Sequence, residues 1–283
     1  MATSHDLTHD ALDWRQLWQN ARQQKGWASK GAADWDLKAA SFAARNRTSS
    51  FIDLLLYHLP TEPELTVLDV GCGPGSLALP LARKVRAITA LDFSAKMLAL
   101  LNAEASARDI DNITTLQCAW EEDWHARGIK PHDIAIASRS LGVDDLAGAI
   151  AKLDAFARHY VFIADRISPT PFAPEAFAAV GRPFRSGPDY IYTINILYTM
   201  GIHANVTILE QESEFCYHDQ EEAFLTYSWM IKDLSAEEEG KLRIFIDQQA
   251  RRQADGTITI RRQTPSRWAL IWWKKTPGET ANS

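Results

Sequence analysis

TVLDVGCGPGSLALPLARKVRAITALDFSAKM, residues 66–97, decides the fold. The apolar run Val67-Leu68-Asp69-Val70 is too short for a helix and stops at glycine, which reads as a buried parallel strand. Gly71, Gly73 and Gly75 follow at alternate positions, and Ser76-Leu-Ala-Leu-Pro-Leu-Ala opens a helix. Glycine at such a turn permits unusual backbone angles and lets the main chain approach a ligand closely. A second strand, Ala87 to Asp92, ends in a carboxylate 21 residues beyond Gly71. That separation places an acidic side chain against the ribose of a nucleotide in a strand–turn–helix–strand unit.

The spacing Gly-Cys-Gly-Pro-Gly differs from the Gly-x-Gly-x-x-Gly that seats a pyrophosphate at a helix N-terminus, so the expected ligand lacks one. Leu68-Asp-Val-Gly-Cys-Gly-Pro-Gly75 with Leu91-Asp-Phe-Ser-x-x-Met-Leu98 resembles the class I S-adenosylmethionine-dependent methyltransferases, a small-molecule type with a methyltransferase type 11-like core. The resemblance covers about residues 53–166. It implies an α/β, doubly wound, Rossmann-like sheet of seven strands, mostly parallel with the seventh antiparallel, S-adenosylmethionine as cofactor and S-adenosylhomocysteine as product. It also implies a cofactor site of Asp69, Gly71, Cys72, Gly73 and Gly75 at the methionine end and Asp92 at the ribose. Phe93 and Met97 suit the adenine slot, and Ala119-Trp120-Glu121 its polar edge, although Ala119 stands where the family often has Asp. Ser138 ends the fourth strand near the sulfonium. The family's N-terminal helices close over the cofactor, which here points to Trp35, with Lys38 and Arg45 near the methionine carboxylate.

The 283 residues, 46% hydrophobic and 23% charged, describe an ordinary folded chain. A formal charge of −6 argues against a broad nucleic-acid footprint. Cys72, Cys118 and Cys216 are odd in number and far apart, so no disulfide framework is indicated. Cys216-Tyr217-His218 lacks a second ligand pair, so no metal is expected. The first ten residues carry no signal-peptide pattern and no run is long enough to span a membrane. The expectation is a reduced, cytoplasmic enzyme acting on a small molecule; the alternatives are an S-adenosylmethionine-binding regulatory or non-catalytic protein and, less favoured, a macromolecule methyltransferase.

Strands are expected at Ile113–Cys118, Asp133–Ser138, Tyr160–Ala164 and Ala204–Glu210, alternating with helices, and the seventh, antiparallel strand at Trp268–Lys274. The whole chain reads as one methyltransferase domain with its core at about 46–167, 188–212 and 266–275. Residues 11–45, 168–187 and 213–265 are expected to form a cap and lid over the carboxyl edge. Within the last of these, helices are expected at Glu221–Lys232 and Glu237–Arg251, the second opened by the capping box Ser235-Ala-Glu-Glu238. The tail from Thr276 is polar and expected to be disordered.

Two catalytic candidates remain. Arg139 follows the fourth strand and reads either as a clamp on an anionic acceptor group or as the partner of Asp144, Asp145 or another carboxylate. His203 is a candidate base by chemistry alone. Methyl transfer from a sulfonium mainly requires alignment, so a base is optional.

Overall fold

The computed structural model describes residues 8–27, 30–46, 50–231 and 233–275. Two helices, α1 (Trp14–Gln24) and α2 (Ala32–Asn46), precede α3 (Ser50–His58) and the first strand, β1 (Thr66–Val70). The glycine turn leads through α4 (Ala78–Ala82) into β2 (Ala87–Asp92), and α5 (Ala95–Ala107) leads into β3 (Ile113–Gln117). Next come β4 (His132–Ser138), α6 (Leu146–Ala155) and β5 (Ala157–Arg166). After α7 (Pro174–Ala179), α8 (Tyr190–Thr199) and β6 (Asn205–Glu210), the chain leaves the sheet for β7 (Glu214–Tyr217), α9 (Gln220–Met230), α10 (Ala236–Gln249), β8 (Ala250–Arg252) and β9 (Ile258–Arg261). It returns as β10 (Arg267–Lys274).

The main sheet runs β3-β2-β1-β4-β5-β10-β6, with β10 antiparallel to both of its neighbours and the other pairs parallel. The doubly wound, seven-stranded sheet is therefore present. Strand β1 sits where the order reverses, so the turn after Val70 opens into the crevice that such sheets offer to ligands. Alternating residues fill two cores. Leu68, Ala135, Ile163 and Ile271 face one side with Trp18 of α1 and Ile150 of α6. Val67, Ile134, Phe162 and Leu270 face the other with Phe51 and Leu55 of α3. A third core joins Phe172 and Phe177 to Tyr217, Phe224, Tyr227, Leu242 and Ile260, with Trp27 packed against it.

Local signals set the helix ends. Ser94 caps α5 by accepting from the Met97 amide, Asp145 caps α6 and Asp189 caps α8. The capping box of Ser235 and Glu238 opens α10. The inserted helices differ modestly from the expected bounds, and Lys232 lies outside the described residues, as do the 276–283 tail and the Arg45 side chain. Two features differ in kind. Arg251, expected to end a helix, instead joins Ala250 and Arg252 in β8 of a three-stranded sheet ordered β7-β9-β8. The segment 168–187, read as loop, contains α7, whose Ala176 and Phe177 are buried in the third core. The described helices include none long and apolar enough to cross a membrane.

Candidate active site

The three glycines divide the labour of the turn. All have positive φ, between 55° and 80°. A Cβ on Gly71 would lie 2.3 Å from Ser140 Cβ, and one on Gly75 would lie 2.2 Å from Leu101 Cδ1. These two let the turn pack against the β4 loop and α5. Gly73 differs, because a Cβ there would meet only Phe42 Cε1, at 3.9 Å. Its open side is where a ligand can approach the main chain.

Two carboxylates flank this opening. Asp92 accepts from the Gly73 amide through Oδ2 and from the Ser94 amide through Oδ1, both at 2.8 Å. The turn and the ribose-binding position are thus joined before any ligand arrives. Burial raises the Asp92 pKa, opposed by those amides. Asp69 is 1% exposed, and its Oδ2 has no hydrogen-bond partner among the described residues. Burial, with the Asp92 charge beside it, pushes Asp69 up to about 7. An orphaned buried acceptor beside an open glycine fits an ammonium group of the expected cofactor. Cys72 is buried, its thiol raised by burial and its Sγ directed at the Gly73 carbonyl.

The remaining predicted cofactor residues border this turn unevenly. Met97 is buried and Phe93 half-buried, with Gln117 Nε2 donating to the Phe93 carbonyl. Half-buried Trp120 donates from Nε1 to the Ser140 carbonyl at 3.0 Å and packs 5.4 Å from Trp124, tying the β3 loop to the β4 loop. The Ala119 amide donates to Glu122, while Glu121 is exposed, so Glu122 organises this loop. Ser138 is half-buried at the end of β4, paired with Ala164.

The α2 contacts correct two expectations. Phe42, two turns from Trp35 on α2, is the ring above Gly73; Trp35 lies behind it, edge-on to Phe42 at 5.4 Å and to Trp229 of α9 at 5.9 Å. The seven-residue spacing from Trp35 was the available signal for Phe42. Lys38 was expected at the methionine carboxylate, but its Nζ donates to the Leu225 carbonyl and sits 5.2 Å from the Trp229 ring. It joins cap to insertion instead. Asp36, not anticipated, accepts from Ser94 Oγ at 2.5 Å and the Lys96 amide, latching α2 to the α5 N-terminus.

The catalytic candidates also separate. Arg139 takes φ 60° just after β4, and its guanidinium lies 4.5 Å from the Phe51 ring and 5.6 Å from Trp268. Burial pushes it down to about 10. Asp144 accepts from Arg22 and Asp145 caps α6, while the guanidinium of Arg139 lies against these two rings. His203 is corrected outright. It precedes β6, and Asn205 is already level with Phe162, Ile136 and Asp69 through the strand register. His203 therefore lies towards the amino ends of the strands, beside Tyr198, away from the glycine turn. A concavity of about 530 Å³ lined by Arg83, Arg86, Arg108 and Asn112 also lies at those amino ends.

Comparison with known proteins agrees with this geometry. A methyltransferase-domain family matches residues 67–159. An uncharacterized protein of Haemophilus influenzae is 35% identical over 244 residues, spanning 84% of this chain and 88% of its own. A candidate methyltransferase from Bacillus halodurans superposes with TM-score 0.56 at 13% identity, over 80% of this chain and 99% of the other. Coclaurine N-methyltransferase, solved with N-methylheliamine and S-adenosylhomocysteine, gives TM-score 0.51 at 14% identity, over 97% and 88%. The last two likenesses are of fold.

Proposed function

The chain belongs to the class I S-adenosylmethionine-dependent methyltransferases, and from that premise we propose that its methyl acceptor is a small molecule held between the carboxyl edge of the sheet and the helical cap. The observation that carries this reading is the roof over the glycine turn. Phe42 stands over Gly73, and α2 is tied to the core through Asp36–Ser94 and to the insertion through Trp35–Trp229. A donor seated on Gly73 would present its methyl group beneath helices rather than in an open groove, which favours a compact acceptor over a folded macromolecule.

S-adenosylmethionine supplies an activated methyl group on a sulfonium that is already a good leaving group. The protein's task is then positional. Asp92 offers carboxylate oxygens to the ribose diol, Gly73 gives space for close approach, and Asp69 offers its orphaned oxygen to the ammonium. Orientation of this kind contributes about 7–11 kcal/mol to lowering a bimolecular barrier. Arg139, fixed against Phe51 and Trp268 at the end of β4, orients the acceptor. No proton acceptor is required of the protein when the acceptor atom carries a free lone pair.

Incubating the protein with donor labelled in its methyl group and a cell extract tests the reading. Fractionation should place the label in material below about 1 kDa. Label confined to RNA or protein would overturn it.

A further inference from the structure

The end of β5 carries a second charged corner. Arg166 closes the strand, one residue beyond Asp165 and two beyond Ala164, which pairs with Ser138 of β4. It is thus on the carboxyl edge, level with Ser140, whose side chain packs on Gly71. The Arg166 Nη2 donates to the Ser186 and Pro188 carbonyls, holding the loop before α8. Its Nη1 is buried and has no hydrogen-bond partner among the described residues. A buried guanidinium nitrogen without an acceptor is costly, and it marks a place for an oxygen ligand.

Lys25, the residue that follows α1, shares an aromatic neighbour with Arg166. The Lys25 Nζ lies 4.0 Å from the centre of the Trp27 ring, and the Arg166 guanidinium carbon 5.1 Å from the same centre. Trp27 is fixed by its Nε1 donating to the Ser186 carbonyl, and the Gly26 amide donates to Arg185. Burial, with Arg22 and Arg166 nearby, pushes Lys25 down to about 8. The surrounding carboxylates are already committed. Asp165 accepts from Thr193 Oγ1 and the Arg166 amide, and burial raises its pKa. Asp189 caps α8, and Asp144 holds Arg22.

We propose that Arg166 and Lys25, walled by Trp27, form a subsite for an oxyanion, a carboxylate or phosphate, carried by the methyl acceptor. The proposal rests on the small-molecule reading of the preceding subsection and narrows it to acidic acceptors. Arg166 supplies the directional donor, Lys25 the second positive charge and Trp27 a flat wall for the rest of the molecule. The subsite belongs to the acceptor because the donor's polar groups are matched two and three strands away, at Asp69 of β1, Gly73 in the turn after it and Asp92 of β2.

Calorimetric titration of the full chain, saturated with S-adenosylhomocysteine, with benzoate and separately with inorganic phosphate tests it. At least one anion should bind, and which one binds more tightly identifies the group. Lys25→Met and Arg166→Gln should each weaken that binding about tenfold or more, with affinity for S-adenosylhomocysteine unchanged. Arg166 also holds two carbonyls, so if Arg166→Gln unfolds, Lys25→Met decides alone. Anion binding by Lys25→Met equal to that of the parent overturns the proposal, as does a parent that binds neither anion. Failure to bind S-adenosylhomocysteine would instead reject the methyltransferase premise, and label found in macromolecules alone would reject the small-molecule reading.

Discussion

The donor corner and the proposed acceptor corner share one sheet edge but are assembled differently. At the donor corner Asp69, Gly71, Gly73, Gly75, Asp92 and Ser94 come from one short stretch, and apart from the orphaned Asp69 Oδ2 their contacts are already made: amide to carboxylate, glycine to Leu101, serine to amide. At the acceptor corner Lys25, Trp27, Arg166 and the 186–188 carbonyls come from three separated segments, and one guanidinium nitrogen is left without a partner. The family's common ligand is met by a local, prepaid geometry. On our proposal the methyl acceptor is met by surfaces that only folding brings together.

The sharpest way to break the comparison is within the glycine turn. Gly73→Val should lower affinity for S-adenosylmethionine at least about 100-fold, because its side chain enters the ligand's space. The fold should bear only the left-handed strain, about 1–3 kcal/mol. Gly75→Val should do the reverse, adding overpacking of about 1–3 kcal/mol to similar strain, since Leu101 already stands at the position of its Cβ. Thermal unfolding and calorimetry on both variants measure the contrast. Equal loss of affinity with equal loss of stability would show that the turn has no ligand-facing member.

Asp92 comes next. Asp92→Asn keeps its shape and one carbonyl acceptor, and should weaken S-adenosylmethionine about tenfold while the protein stays folded. Asp92→Ala should also cost stability, because the Gly73 and Ser94 amides lose their acceptor. If both variants bind the donor as the parent does, the ribose diol is held elsewhere.

The Asp69 pair sharpens the comparison through pH. Its folded pKa, about 7, lies above the ordinary carboxylate value, so the ligand-free fold favours the protonated acid. That contribution is complete below the unfolded pKa and is lost as pH rises through about 7. A cationic donor prefers the ionised acid, so its affinity should rise across the same window. Asp69→Asn should flatten both profiles. Donor affinity in the parent that falls as pH rises through that window would separate Asp69 from the ammonium.

The smallest effect is expected where cap meets insertion. Trp229→Ala removes the edge contact with Trp35 and the ring beneath Lys30 and Lys38, costing about 0.5–1.5 kcal/mol for the aromatic pair. Limited proteolysis should show α2 or α9 cut sooner, with donor affinity changed less than threefold. Unaltered cleavage would mean that the third core alone holds these elements together.

The sequence by itself determined the sheet, the glycine turn and its distance to Asp92. Strand lengths, glycine spacing, the Asp92 distance and the Ser94 cap are local, and local patterns survive in a linear chain because their periods follow backbone geometry. Even the displaced seventh strand was legible, since Trp268 to Trp273 is an unbroken apolar run with three tryptophans. Tertiary structure alone decided what covers the edge. Whether Trp35 or Phe42 stands above Gly73 depends on the rotation of α2, which is set by Asp36 meeting Ser94 far along the chain. The short strands β7 and β9 pair only because Phe172, Phe177 and Tyr227 close a core that neither strand could build. Neither Arg166 nor Lys25 is singled out by any motif or spacing in the sequence. Their shared indole and the missing acceptor exist only after segments more than a hundred residues apart have met, and no periodicity encodes such a meeting.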